Sequence, residues 1–216
     1  MTVPRRGVLL VLLGVALTGC DPGSGSSSTT QPPLTPDALL VTPAEVGPGI
    51  AVQQIAGGHS VAGQVTLDLC RATYTSEAMR TARAQVNYLD PLINKVAASQ
   101  EVVLYSTGGA GRAYTELKAA IAHCPVSYPV GGSPPTTISH VTLEAPDRRL
   151  LPSQLMVSEM VSFGDGTSAW SVSLYQFERD EMTAIYTGRP QKDQALSEAL
   201  VLGRLAAARL VAANGG

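Results

Sequence analysis

Residues 154–187 read QLMVSEMVSFGDGTSAWSVSLYQFERDEMTAIYT, and this stretch decides the fold. It contains three runs in which apolar and polar residues alternate, with Gly-Asp-Gly-Thr and Arg-Asp as the turn residues between them. Short alternating runs joined by such turns are typical of antiparallel strands. The sequence therefore predicts a three-stranded meander with strands at 154–163, 168–177 and 181–187.

Two helices and several further strands are predicted on either side of this meander. Apolar residues recur every three or four positions in 112–123, which predicts a helix there. The segment 191–212 is rich in Ala and Leu, and as a helix it would be apolar over more than half of its circumference. A capping box, TPAE at 42–45, predicts a short helix at the start of the domain. Strands are predicted at 64–73, 80–89, 101–106 and 137–144, although the overlapping segment SEAMRTARAQ at 76–85 also fits a helix capped by Ser76.

These elements predict an α+β fold with a mostly antiparallel sheet, helices packed on one side, and a strands-then-helix order repeated twice. Trp170, Val172 and Leu174 share one strand face, and Trp170 is interpreted as a core anchor. In the strand predicted at 154–163, Met156 and Met160 lie on the face opposite to Leu155 and Val157. There they would line or fill a pocket under the last helix. The sequence predicts a single domain over 37–216.

The first twenty residues have the layout of a lipoprotein signal peptide. Arg5 and Arg6 precede an apolar run at 8–17, and Leu-Thr-Gly-Cys ends at Cys20. The run is too short to cross a bilayer, which needs about 20 apolar residues. We expect residues 1–19 to be removed, Cys20 to carry lipid, and 20–36 to form a disordered Ser, Gly and Pro tether. An ordinary secretory signal and twin-arginine export are the alternatives.

The chain has three cysteines, and lipid on Cys20 leaves Cys70 and Cys124 to form a disulfide in an oxidising compartment. Two free thiols are the alternative. No zinc site is expected, because the histidines are scattered singly along the sequence. A net charge of −2 with only 15% charged residues does not suggest a nucleic-acid partner.

Two short motifs invite a catalytic or cofactor interpretation. GHSVA at 58–62 resembles a nucleophile elbow centred on Ser60, but a loop precedes it and a strand is predicted after it, the reverse of the required order. TGGAGRA at 107–113 lies between a strand and a helix, where an anion can bind, but it lacks the lysine of a phosphate-binding loop. We expect no catalytic residue, no cofactor and no metal.

Four segments of the chain read LLVTPAEVG, TSEAMRTARAQVNYLD, SQEVVLYSTGGAGRAYTELKAAIAHCP and GDGTSAWSVSLY. They resemble actinobacterial lipoproteins related to the extracellular sensor domain of PknH-type serine/threonine kinases. The resemblance covers most of 38–212, implies a strand at ARAQVNYL, and implies a central cleft that receives a ligand. That sensor domain carries two disulfides whereas this chain can form one, and no ligand-binding residue transfers.

The sequence therefore predicts a non-enzymatic lipoprotein, anchored to the outer face of the cell membrane, with a ligand-binding or sensor-like domain. Its partners would be the membrane, through the lipid, and a small or lipidic ligand or an envelope protein. Two alternatives are a structural or adaptor lipoprotein of the envelope and an envelope hydrolase that uses Ser60.

Overall fold

The computed structural model describes residues 34–91, 95–131 and 135–215. The predicted signal peptide, Cys20 and the predicted tether up to residue 33 lie outside the described residues. Pro36, assigned to the end of the tether, is buried in a 3-10 turn at Pro36–Leu39. Within the described ranges, no helix is long and apolar enough to span a membrane.

In the described ranges, eight strands form one sheet in which every neighbouring pair is antiparallel. Their order across the sheet is β1-β2-β3-β8-β7-β6-β5-β4. The strands are β1 (Ala51–Gln54), β2 (Arg80–Asp90), β3 (Lys95–Tyr105), β4 (Ser127–Val130), β5 (Thr136–Leu143), β6 (Gln154–Ser162), β7 (Ser168–Glu178) and β8 (Glu181–Arg189). The helices are α1 (Pro43–Val46), α2 (Gly109–Ala122) and α3 (Lys192–Ala213). The α+β class, the antiparallel sheet and the repeated strands-then-helix order are confirmed.

The meander forms as predicted, and its turns explain the register. Asp165 accepts hydrogen bonds from both the backbone and the side chain of Thr167, while Gly166 takes the positive φ of 85° that the turn requires. At the next turn, Arg179 has a φ of 48°. The short turns keep β6, β7 and β8 in continuous antiparallel register.

The placement of both helices on one side of the sheet is wrong. On β7, Leu174 is buried with Ala199 and Leu202 of α3, whereas Tyr175 is buried with Ala113 and Leu117 of α2. Because successive strand residues point to opposite faces, α2 and α3 lie on opposite faces. Both faces of β7 are apolar along much of their length, so each face needs cover from water.

Helix α3 lies close to its face of the sheet because small residues form its contact stripe. Ala195, Ala199, Gly203 and Ala206 are buried at spacings of three and four. A Cβ added at Gly203 would lie 2.2 Å from Leu174 Cδ2. Met156 is buried in this same cluster and fills space under the helix, whereas Met160, expected to lie with it, is only partly buried and is not part of the cluster.

The strand predicted at 64–73 does not form. Cys70 and Arg71 have φ values of 60° and 56°, which break an extended conformation. The backbone N–H groups of Thr66 and Leu67 donate to the Glu77 carboxylate instead of to a neighbouring strand. The segment is a loop that lies over the sheet, and the alternation that suggested a strand reflects burial of Leu67 and Leu69.

The segment at 80–89 is a strand, which agrees with the resemblance and not with the helical alternative. Helix α1 has the predicted capping box, in which the Thr42 backbone N–H donates to Glu45 Oε2 at 2.8 Å. Sequence patterning missed the two edge strands, β1 and β4. Each has only four residues, and all four residues of β1 are exposed, so neither carries a clear burial pattern.

Candidate functional site

A disulfide joins Cys70 and Cys124, whose Cα atoms are 4.8 Å apart. Cys70 lies in the loop at 55–79, which we name the covering loop, and Cys124 lies just after α2. The Cys70 backbone N–H donates to the Tyr128 hydroxyl at 3.0 Å. The covering loop is therefore fixed at one end to the α2 face of the sheet.

Two arginines of β2 hold the other part of the covering loop. Arg83 donates to the carbonyl oxygens of Gly57 and Ser60. Arg80 donates to the Gln64 carbonyl and to the Thr66 hydroxyl. Loop carbonyls that have no strand partner thus find donors on the sheet, which explains how a long irregular segment stays packed there.

Beyond the part of the sheet that α2 covers, this face carries a cavity of about 260 Å³, which we name the sheet-face pocket. Its lining consists of carboxyl, hydroxyl, amide and aromatic side chains and one valine. The lining residues are Val65, Thr66, Asp68, Gln85, Ser99, Glu101 and Tyr186. None of these seven residues is basic, so the pocket presents negative charge.

Glu101 forms the buried base of the pocket. Its side chain and that of Arg83 are each only 2% exposed, and Arg83 Nη2 lies 2.7 Å from Glu101 Oε1. Thr66 Oγ1 donates to the same oxygen at 2.7 Å. The other oxygen, Oε2, has a long contact of 3.4 Å with the Tyr186 hydroxyl. A buried charge needs a paired charge, and Arg83 provides it for Glu101.

A second carboxyl group, Glu159 of β6, lies within electrostatic range of Asp68. Burial and then the charge of Asp68 raise the pKa of Glu159 to about 7, while a hydrogen bond from Ser171 opposes this. Its Oε2 is buried and has no hydrogen-bond partner among the described residues. Partial desolvation also raises the pKa of Asp68, although this residue as a whole is exposed. Perturbed carboxyl groups beside a cavity are a common feature of functional sites.

Aromatic rings border this group of acids. Tyr175 and Tyr186 are packed edge to face with ring centroids 6.1 Å apart. Burial raises the pKa of each phenol well above its usual range, so both remain neutral donors. The site can therefore offer neutral hydroxyl groups, ring surface and carboxylates to one ligand.

A second cavity, the helix groove, lies on the other face between α3 and the segment that follows α1. Its volume is about 370 Å³. The lining is largely apolar and comprises Val46, Gly47, Pro48, Ile50, Asp90, Ala97, Ala98, Arg189, Ser197, Glu198, Val201 and Leu202. Arg189 is engaged, because it pairs with Glu198 at 2.6 Å and donates to the Ala97 carbonyl at 2.8 Å. This groove offers shape but few polar groups that remain available to a ligand.

Ser60 lies in the exposed part of the covering loop. Its hydroxyl donates to the Ala62 carbonyl at 2.9 Å. The adjacent His59 places Nε2 2.8 Å from Asp37 Oδ1, and both of these side chains are about half exposed. Because the Ser60 proton goes to a carbonyl and not to an imidazole, the geometry does not activate Ser60 as a nucleophile.

The other motifs singled out from the sequence serve structural roles. In the glycine-rich turn, the Gly108 backbone N–H donates to Asp180 at 2.6 Å, so this protein carboxylate already occupies the anion position. Trp170 is only partly buried and carries Lys192 Nζ 5.3 Å from its ring centroid, so its interpretation as a core anchor is wrong. Within the described ranges, no group of three or more His, Cys, Asp or Glu residues could hold a metal ion.

Sequence reasoning did not identify the residues of the sheet-face pocket. Glu101, Glu159 and Arg83 are charged residues of β3, β6 and β2, and each of these strands also contains other polar residues. A buried charge requires a partner or a special environment, but the sequence does not distinguish these charges from the exposed ones. The covering loop, which brings Asp68 to these residues, was assigned to a strand and gave no such indication.

No protein-family model matches the sequence, and no curated protein matches it either. Among solved structures, the chain is similar to the extracellular domain of PknH from Mycobacterium tuberculosis. The two share 14% sequence identity with a TM-score of 0.49, over 79% of this chain and 93% of that one. At this level of similarity the comparison carries no statement about function.

Proposed function

We propose that this protein is a lipid-anchored, extracytoplasmic, non-enzymatic binding protein that takes a small ligand in the sheet-face pocket. The observation that carries the proposal is the pocket itself, where Asp68, the buried Glu101 and Tyr186 surround an open cavity and Glu101 Oε2 has only a long contact of 3.4 Å with the Tyr186 hydroxyl among the described residues. Such convergent polar groups in a concave site are typical of ligand recognition. The Ser60 geometry supports binding over hydrolysis.

The sequence supports the location. The signal-peptide layout that ends at Cys20 and the Ser, Gly and Pro segment after it fit a domain held near the outer face of a membrane. The disulfide between Cys70 and Cys124 fits an oxidising compartment. Radiolabelled palmitate should enter the wild-type protein and not Cys20→Ser. Equal labelling of the two proteins would contradict the anchor.

Native mass spectrometry of the full-length protein, purified from its own host in mild detergent, tests the binding function. We expect a reproducible bound mass that is lost in Ser99→Trp, because Ser99 lines the sheet-face pocket. The matched control is Ser197→Trp, which fills the helix groove and should keep the ligand. A ligand lost only from Ser197→Trp, or no bound mass in any preparation, would contradict the proposed site.

A further inference from the structure

The charged side chains of the sheet-face pocket leave a net negative charge. Asp68 and Glu101 are its charged lining residues, and Arg83 already neutralises Glu101. The Asp68 side chain makes no hydrogen bond to another described residue, so its negative charge is available to a ligand. A ligand that enters this pocket therefore gains most if it carries a positive charge.

One carboxyl oxygen of the pocket also lacks a good donor. Glu101 is 1% exposed, and its Oε1 accepts from Arg83 and Thr66. Among the described residues, its Oε2 has only the 3.4 Å contact with Tyr186. Buried acceptors are normally satisfied, so this oxygen favours a ligand that brings N–H or O–H donors.

Tyr186 defines the remaining chemistry of the ligand. Its ring lines the pocket and is fixed edge to face against Tyr175. An aromatic ring attracts a cation and packs against methylene groups, and this combination recognises alkylammonium ions. A bare metal ion is disfavoured, since no metal-ligand group of three acids, histidines or cysteines occurs in the described ranges.

We infer that the sheet-face pocket binds a small organic cation with a primary ammonium group. The ammonium N–H groups face the carboxylates of Asp68 and Glu101, and the apolar stem lies against the Tyr186 ring. A volume of about 260 Å³ suits a molecule with a short carbon chain. This inference rests on the proposed binding function and specifies the chemical class of its ligand.

Isothermal titration of the full-length protein in non-ionic detergent at pH 8 tests the inference with two matched probes. n-Butylammonium carries the charge and the donors, and n-butanol has the same stem without the charge. We expect one butylammonium to bind per chain, at least tenfold more tightly than butanol. The Asp68→Asn variant should lose at least tenfold in affinity, whereas Asp165→Asn, at the exposed β6–β7 turn, should bind as the wild type does.

A second variant keeps the inference testable if Asp68→Asn misfolds. Ser99→Lys places an ammonium group inside the pocket and should abolish butylammonium binding while the protein keeps its cooperative melting transition. Equal affinity for the two probes, or unchanged binding in a folded Asp68→Asn or Ser99→Lys protein, would overturn the inference. If a natural ligand is lost in Ser99→Trp but proves neutral or anionic, the ammonium assignment fails and the binding function stands.

Discussion

The two faces of the sheet are shielded from water in different ways. On one face, the 22 residues of α3 extend for about 33 Å and cover the strands over most of their length. On the other face, the 14 residues of α2 extend for about 21 Å, and the covering loop must protect part of what remains. The face with the shorter helix is the one that keeps an open polar pocket.

The two faces also differ in the charge of their buried polar groups. Under α3 the buried polar side chains of the sheet are neutral: Gln100, for example, accepts from the Val41 backbone, and Gln176 donates to the Gly203 carbonyl. On the α2 face they are charged, with Arg83, Glu101 and Glu159 in the sheet. A neutral hydrogen-bonded network makes the core rigid, whereas charged groups beside a cavity can interact electrostatically with a ligand.

The largest effect is expected from the buried ion pair. Arg83→Met leaves Glu101 buried without a counter-ion and should lower the free energy of unfolding by about 3–5 kcal/mol. The double variant Arg83→Met with Glu101→Leu should recover most of that loss, because it buries no charge. Urea denaturation measures both. Arg149→Met removes the exposed partner of Asp147, which keeps its second partner Arg204, so this control should change stability far less. A double variant no more stable than the single one would show that the pair does more than balance charge.

Loss of the disulfide should come next in size. In a Cys70→Ser and Cys124→Ser double variant, the free energy of unfolding should fall by about 2–4 kcal/mol. The reason is that the unfolded chain is no longer closed into a loop between two cysteines that lie 54 residues apart. The loss should be local first. Limited proteolysis should cut the covering loop of the variant while α3 stays intact, and early cleavage in α3 would contradict the division between the faces.

A glycine in each helix gives the third test. Gly203→Ala places a Cβ 2.2 Å from Leu174 Cδ2 and should destabilise the protein by about 2 kcal/mol despite the better helix propensity of alanine. Gly111→Ala, in α2, meets no atom within 4 Å and should stabilise by up to about 1 kcal/mol. Thermal unfolding of both variants gives the comparison. If both substitutions stabilise, α3 is not packed closely on its face.

The smallest effect is a pH dependence from Glu159, whose pKa is raised to about 7 by burial and by Asp68, with Tyr128 and Ser171 also beside it. Between pH 4.5 and 7 the folded protein keeps a proton that the unfolded chain has lost, so stability falls as pH rises. Glu159→Gln should therefore stabilise the protein at pH 8 by roughly 1–2 kcal/mol, after allowance for partial solvent screening, and leave it unchanged at pH 4.

Denaturation curves at the two pH values measure this difference. Glu178→Gln, at the end of the same hairpin, is the control and should give the same change at both pH values. A stabilisation of Glu159→Gln that is equal at pH 4 and pH 8 would show that packing, and not titration, is responsible.

The sequence predicted the meander, the helices and the class of the fold because these depend on local periodicity and turn chemistry. The turn at Gly166 and the alternating faces of Leu174 and Tyr175, for example, can be predicted from local sequence. The face on which each helix lies is not local, since the same alternation serves a sheet covered on one side or on both. The pocket depends on a further long-range fact: Cys70 turns with positive φ and brings Asp68 over the sheet.

Hydrogen exchange of the full-length protein, with and without saturating n-butylammonium, tests most directly whether the incompletely covered face is the binding face. We predict slower exchange of backbone amides in the covering loop around Thr66 and Asp68 and in β3 around Glu101, with α3 unchanged. Protection at α3 and at Ile50 beside the helix groove, with none in the covering loop, would contradict the account.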